Sequence, residues 1–176
     1  MLSIKAGWIE GIRQVPVKRF GPRPSGFEIS LIVIHCIALP PKHFGGHYVD
    51  DIFTGSLDPD AHPYFKDVAP LEVSTHLFIN RLGRITQYVS FLDRAWHAGR
   101  SSYYGHKECN DYSIGIELEG SDDSEYTIDQ YKSLKEVVAL IKQNYPAIGN
   151  NVAAHSEVAP NRKTDPGPYF DWSGLR

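Results

Sequence analysis

Cysteine is scarce in this sequence: two residues, Cys36 and Cys109, in a chain of 176. Two cysteines make no disulfide framework, so stability must come from a buried core, and reduced thiols are expected. Long hydrophobic runs are missing as well. No stretch approaches the roughly 18–20 apolar residues of a membrane-spanning helix. The opening MLSIKAGWIEGIRQVPVKRFG holds neither an apolar run of signal-peptide length nor a small-residue cleavage pattern. A cytoplasmic protein without membrane contact is the expectation. Excess positive charge is absent too: 18 Lys and Arg stand against 21 Asp and Glu, a net charge of −3. Nucleic-acid binding, which calls for a basic face, is not expected. No serine sits in a GxSxG elbow and no glycine-rich loop precedes a helix, which argues against serine-hydrolase and phosphate-loop chemistry.

What is present is the composition of a globular protein, 41% apolar and 22% charged. The length suits one domain over residues 1–176. EISLIVIHC (28–36) is a short run of β-branched residues and reads as a buried strand ending near His35. In residues 37–65, Pro-Pro, Gly-Gly, Thr-Gly and Asp-Pro are expected to break any regular element, leaving a long loop that shapes or covers a site beside His35. STHLFINRLGRITQYVS (74–90) reads as a hairpin. DRAWHAGRSSYYGHKECND is loop-like, and YSIGIELEG (112–120) is a second buried strand. The clearest helix is 127–146. Ile128, Tyr131, Leu134, Val138 and Ile141 recur three or four apart, and Thr127 with Gln130 suits a capping box. NVAAH gives a short strand ending at His155. Strands with helices and long loops make a mixed α/β or α+β fold, with no internal repeat.

Two histidines thus close apolar strands far apart in sequence, His35 and His155. Each alone is more often structural or incidental than a ligand. Asp165, in KTDPG with Pro166 fixing the backbone after it, supplies a carboxylate. Two histidines and one carboxylate form a common catalytic zinc set with a fourth position left for water. Asp165 alternatively reads as a turn-initiating residue before Pro-Gly. Glu117 alternates onto one strand face while Ile116 and Leu118 take the other. It is a candidate general base beside a metal or, equally, an exposed strand end. Lys163 lies two residues before Asp165 and could stabilise an oxyanion, or stay solvated. Trp96 and His97 could line a pocket or pack as a loop. His76 reads as a core histidine, and His43, His47, His62 and His106 as loop residues without a role. Cys36 points away from His35.

VIHCIALPP, FTGSLDPDAHPYF, VSTHLFINRLGRITQYVSFLDRAWHAGRSSY, CNDYSIGIELEG and AHSEVAPNRKTDPGPYFDW together resemble the type 2 N-acetylmuramoyl-L-alanine amidase family. Within it they are most similar to the cytoplasmic 1,6-anhydro-muropeptide branch. AWHAG and GIE are shared with the wider amidase and peptidoglycan-recognition superfamily; RKTDPGP and the FTGSLDPDAHPYF loop are more specific. The resemblance implies a mixed sheet flanked by helices and one Zn²⁺ ion held by His35, His155 and Asp165. It implies Glu117 as general base and Lys163 as transition-state stabiliser, and adds Tyr64 to Trp96 and His97 as candidate substrate-binding residues. The implied reaction is hydrolysis of the lactyl amide between 1,6-anhydro-N-acetylmuramic acid and L-alanine, in peptidoglycan recycling. In some bacteria the uncut anhydro-muropeptides also signal β-lactamase induction. The anhydro-muropeptide is the expected partner, and the chain is expected to be monomeric.

Glu72 and Glu108 depart from the pattern, standing where some members carry arginines that can meet stem-peptide acids. Arg100, Lys107 and Arg81 are the alternative cations. A non-catalytic muropeptide receptor and a general amidase acting on intact wall are the competing functions.

Overall fold

The computed structural model describes residues 2–176. Four short strands open the chain: β1 (Ser3–Lys5), β2 (Trp8–Glu10), β3 (Arg13–Gln14) and β4 (Phe20–Pro22). The long strand β5 (Leu31–Ile37) follows, then the helices α1 (Tyr48–Thr54) and α2 (Phe65–Val68). The hairpin β6 (Leu77–Ile79) and β7 (Ile85–Gln87) leads through β8 (Asp93–Ala95), β9 (Ser102–Tyr103) and β10 (His106–Lys107) to β11 (Ser113–Glu119). The long helix α3 (Ile128–Asn144), β12 (Val152–Ala154) and α4 (His155–Val158) complete the order.

Six strands form one mixed sheet in the order β12-β5-β11-β6-β7-β3. All neighbours are parallel except β6 and β7, which pair antiparallel. Parallel strands are covered on both faces, which is why β5 and β11 read as nearly unbroken apolar runs. Alternate side chains take opposite faces. On one face Ile32 and Ile34 of β5 and Ile114, Ile116 and Leu118 of β11 pack against Leu134, Val137, Val138 and Ile141 of α3. The opposite face carries Leu31, Val33 and His35 beside Ser113, Gly115 and Glu117, in register pairs that set His35 next to Glu117.

The capping box at Thr127 and Gln130 forms as expected. The helix face differs at one place: Ile128 is 87% exposed, and Gln130 is buried. Two successive steps of three residues, 128 to 131 to 134, each fall about 60° short of one full turn, so Ile128 lies about 120° from Leu134. Gln130 is buried because its amide donates to the Ile79 and Glu119 carbonyls at 3.2 and 3.0 Å, at the ends of two strands.

The segment 37–65 is not without structure. Val49, Ile52 and Phe53 share a helical face and bury it, making α1, while Gly55 at φ 82° caps its end. The glycines bound the helix instead of preventing it. This helix joins Phe65, Phe78 and Tyr88 in a second core on the face that carries His35. The region 93–111, read as loop, holds three short strands: β8 pairs with β4, and β9 with β10. His155 opens α4 instead of ending β12.

Thr127→Ala is expected to lower unfolding free energy by about 1 kcal/mol through loss of the cap. Ile128→Gln, on the exposed flank, should stay within about 0.5 kcal/mol of the parent. Urea unfolding followed by circular dichroism checks both, and a loss at Ile128 equal to a core residue would contradict the helix face.

Candidate metal centre

Neighbouring strands with the same direction deliver their carboxyl ends to the same edge. Ala154 of β12 is opposite Ile34 of β5, so the next residues, His155 and His35, meet there. Asp165 arrives on the return of the loop after α4. That loop is pinned at several points. The Ser156 N–H donates to the Asp165 carbonyl at 3.1 Å, the Tyr126 hydroxyl to the Pro166 carbonyl at 2.8 Å, and the Thr164 hydroxyl to Asp122. Gly167, at φ +86°, passes so near Asp122 that a β-carbon there would lie 2.2 Å from its carbonyl oxygen.

The result is a compact set of three donor atoms. His35 Nδ1 and His155 Nδ1 are 2.9 Å apart. Asp165 Oδ2 lies 3.0 Å from His155 Nδ1 and 3.3 Å from His35 Nδ1. Both histidines are buried. The His155 Nε2 atom faces the Ala98 carbonyl at 3.3 Å; a carbonyl only accepts, so the proton is on Nε2 and Nδ1 keeps its electron pair. Burial pushes His35 down to about 4, despite the nearby Asp165 carboxylate, and so favours its neutral form. Two imidazoles and a carboxylate converging this closely fit a cation. Donors bound tetrahedrally at about 2.0–2.1 Å stand about 3.3 Å from one another. Among the described residues this is the one His, Cys, Asp and Glu cluster of that kind.

Glu117 completes the floor. Its Oε2 is buried with no hydrogen-bond partner. Burial, and then the Asp165 charge, push its carboxyl well above the usual range, while Lys163 opposes this. An enclosed acceptor without a donor is costly unless a water or ligand supplies one. Lys163 is exposed and borders the same cavity, about 470 Å³, together with Tyr64 and Trp96. Leu39, Ile52 and Phe53 from the 37–65 segment add an apolar wall. His97 borders it too, but is turned beneath His35, its Nδ1 2.9 Å from His35 Nε2. A larger crevice of about 790 Å³ lies by α1 and the β6–β7 hairpin. Its buried carboxylate, Glu119, is already bonded by the backbone N–H groups of Gly45 and Arg81.

Of the other residues singled out, His76 is buried, accepting from the Gly115 N–H at 3.0 Å. Cys36 faces Asp122 at 3.4 Å, and both cysteines are free. Glu72 and Glu108 are exposed. Arg100 and Lys107 share a separate crevice with Glu108 and Arg162, whereas Arg81 bonds the carbonyls of Glu119 and Glu125. Asp122 and Ser113 escape the sequence reading. Period-two alternation back from Glu117 is the signal that marks Ser113; nothing local marks Asp122.

The N-acetylmuramoyl-L-alanine amidase family model matches residues 25–168. The chain belongs to this family. The amidase AmpD of Citrobacter freundii, a 1,6-anhydro-N-acetylmuramyl-L-alanine amidase, is 53% identical over 175 residues, covering 99% of this chain and 94% of that protein. The crystal structure of a selenomethionine AmpD derivative superposes with a TM-score of 0.96 at 52% identity, over 100% of this chain and 98% of that one. AmpDh3 of Pseudomonas aeruginosa, solved with anhydromuramic pentapeptide, gives a TM-score of 0.66 at 28% identity, over 99% of this chain and 65% of that one. No helix among the described residues of this amidase is long and apolar enough to cross a membrane.

Elemental analysis of the purified amidase is expected to find one divalent ion per chain, reduced to a trace in Asp165→Asn. Metal at about 100 times its dissociation constant should add about 2.7 kcal/mol to the stability of the stripped chain, read as a rise in thermal midpoint. No rise in the parent would contradict the site.

Proposed function

We propose that the chain, as one domain over residues 1–176, is a zinc-dependent amidase. It hydrolyses the lactyl amide between 1,6-anhydro-N-acetylmuramic acid and the L-alanine of the stem peptide. The observation that carries this is the partnerless carboxylate of Glu117, enclosed beside the three converging donors of His35, His155 and Asp165. Similarity to AmpD over almost the whole chain supports the anhydro substrate. On this reading the enzyme works as a cytoplasmic monomer in peptidoglycan recycling.

Zinc in this donor set supplies Lewis acidity, making a water more acidic and a carbonyl more electrophilic. Glu117, whose Oε2 has no hydrogen-bond partner, accepts the proton of the attacking water. Lys163, on the rim, supplies an ammonium charge to stabilise the oxygen that becomes negative as the lactyl carbonyl turns tetrahedral. Glu117 then returns the proton to the alanine nitrogen as the C–N bond breaks. Tyr64 and Trp96, which border the cavity, offer aromatic faces to the sugar.

Mass-spectrometric assay of anhydro-muramyl and reducing muramyl tripeptides, with and without a zinc chelator, tests the reading. Cleavage chiefly of the anhydro compound, lost with chelator and restored by zinc, is expected. Equal cleavage of both would indicate a general amidase, and binding without cleavage a receptor. Glu117→Gln should keep its metal and lose roughly 10²–10⁴ in kcat. Lys163→Ala should keep its metal while the barrier rises by about 2.7–4 kcal/mol; unchanged turnover would remove Lys163 from the mechanism.

A further inference from the structure

His97 is a buried histidine with both ring nitrogens engaged. Its Nε2 lies 3.2 Å from the Ser113 hydroxyl, and its Nδ1 lies 2.9 Å from His35 Nε2. The protons along this line can be assigned from one fixed point. Ser113 Oγ is 2.5 Å from the Cys109 carbonyl oxygen. Two oxygens that close need a proton between them, and the carbonyl has none, so the serine hydroxyl donates there. Its remaining capacity is to accept, so the His97 proton sits on Nε2. His97 Nδ1 is then an acceptor, and the proton opposite it belongs to His35 Nε2. That leaves His35 Nδ1 as an electron pair, aimed at His155 and Asp165.

We propose that His97, anchored by Ser113, is a positioning residue that fixes the tautomer and orientation of His35 for metal binding. Histidine ligands commonly donate their second N–H to a carboxylate, a backbone carbonyl or a water. His155 follows that pattern through Ala98. His35 instead donates to another imidazole, whose own proton is set by a serine. The adjacent residues His97 and Ala98 thereby orient both histidines of the centre.

The placement of the ring is specific. The N–H groups of His97 and Ala98 both donate to Asn110 Oδ1, at 3.2 and 2.8 Å. The ring lies directly on the sheet at Gly115, where a β-carbon would fall 2.5 Å from Cγ of the imidazole. The ring stands edge-on to His35, with centroids 5.0 Å apart and planes at 85°, which points its Nδ1 electron pair at the His35 N–H. With both nitrogens occupied, His97 has none free to bond a substrate.

The inference rests on the metal reading above, and its test separates the two. Long-range proton–nitrogen correlation spectra of the chelator-stripped chain, labelled at histidine, should show His35 protonated on Nε2 and bare on Nδ1. Competition against a chromophoric zinc chelator should show His97→Ala weakened roughly 10- to 100-fold. His97→Gln, whose amide oxygen can accept from His35, should recover most of that loss. Ser113→Ala removes only a hydroxyl and preserves packing, which covers the case in which His97→Ala fails to fold. It should give His97 a mixed tautomer population and weaken zinc roughly 10-fold. A parent His35 carrying its proton on Nδ1 overturns the relay, as does a folded His97→Ala or Ser113→Ala chain that binds zinc as the parent does. A parent chain that binds no zinc withdraws the metal reading as well; zinc binding with the wrong tautomer overturns the relay alone.

Discussion

Everything in the centre depends on the parallel register of β5 between β11 and β12. Backbone pairing along β5 is what brings Glu117 to one side of His35 and His155 to the other, although 120 residues separate the two histidines. A slip of one residue in β11 would turn Glu117 to the α3 side and put Ile116 or Leu118 against the cavity. The apolar residues that alternate with the polar ones prevent this. Ile114, Ile116 and Leu118 have a core to fill under α3, and filling it leaves Ser113, Gly115 and Glu117 on the chemical face. Burial on one face of the strand therefore specifies chemistry on the other.

A second constraint acts on the loop after α4. This short stretch must carry Lys163 to the rim and Asp165 to the donors while its backbone stays in one shape. Thr164, the residue between them, is tied to Asp122, and Tyr126 holds the carbonyl of Pro166. The same aspartate takes the thiol of Cys36. The loop is thus anchored to the segment following β11, the strand that supplies Glu117.

Much of this was legible in the residues. The strands around His35 and Glu117, the hairpin and the capped helix were marked by composition and period, because local pattern decides them. Their coming together at one sheet edge was not, since strand order is a long-range property. Resemblance to a family supplied what spacing left open for Asp165, Glu117 and Lys163. The α1 helix was hidden because Gly45, Gly46 and Gly55 read as breakers, when they mark its approaches and its end. Ile128 was misplaced because steps of three drift off a helical stripe. Asp122 acts through contacts distant in sequence, and an aspartate in a loop carries no local sign of them; Ser113 is marked only by its alternation with Glu117.

The contact between Gly115 and the ring of His97 also bears on how such a chain can change over generations. The glycine of SIGIE has no freedom of its own while an imidazole rests on its α-carbon. Any side chain at 115 must displace the ring, and a ring lost at 97 opens a hollow over 115. The two motifs, read separately along the sequence, are one steric unit: a side chain at 115 demands that the ring at 97 move or shrink, whereas the wall of the cavity carries no such coupling to the glycine.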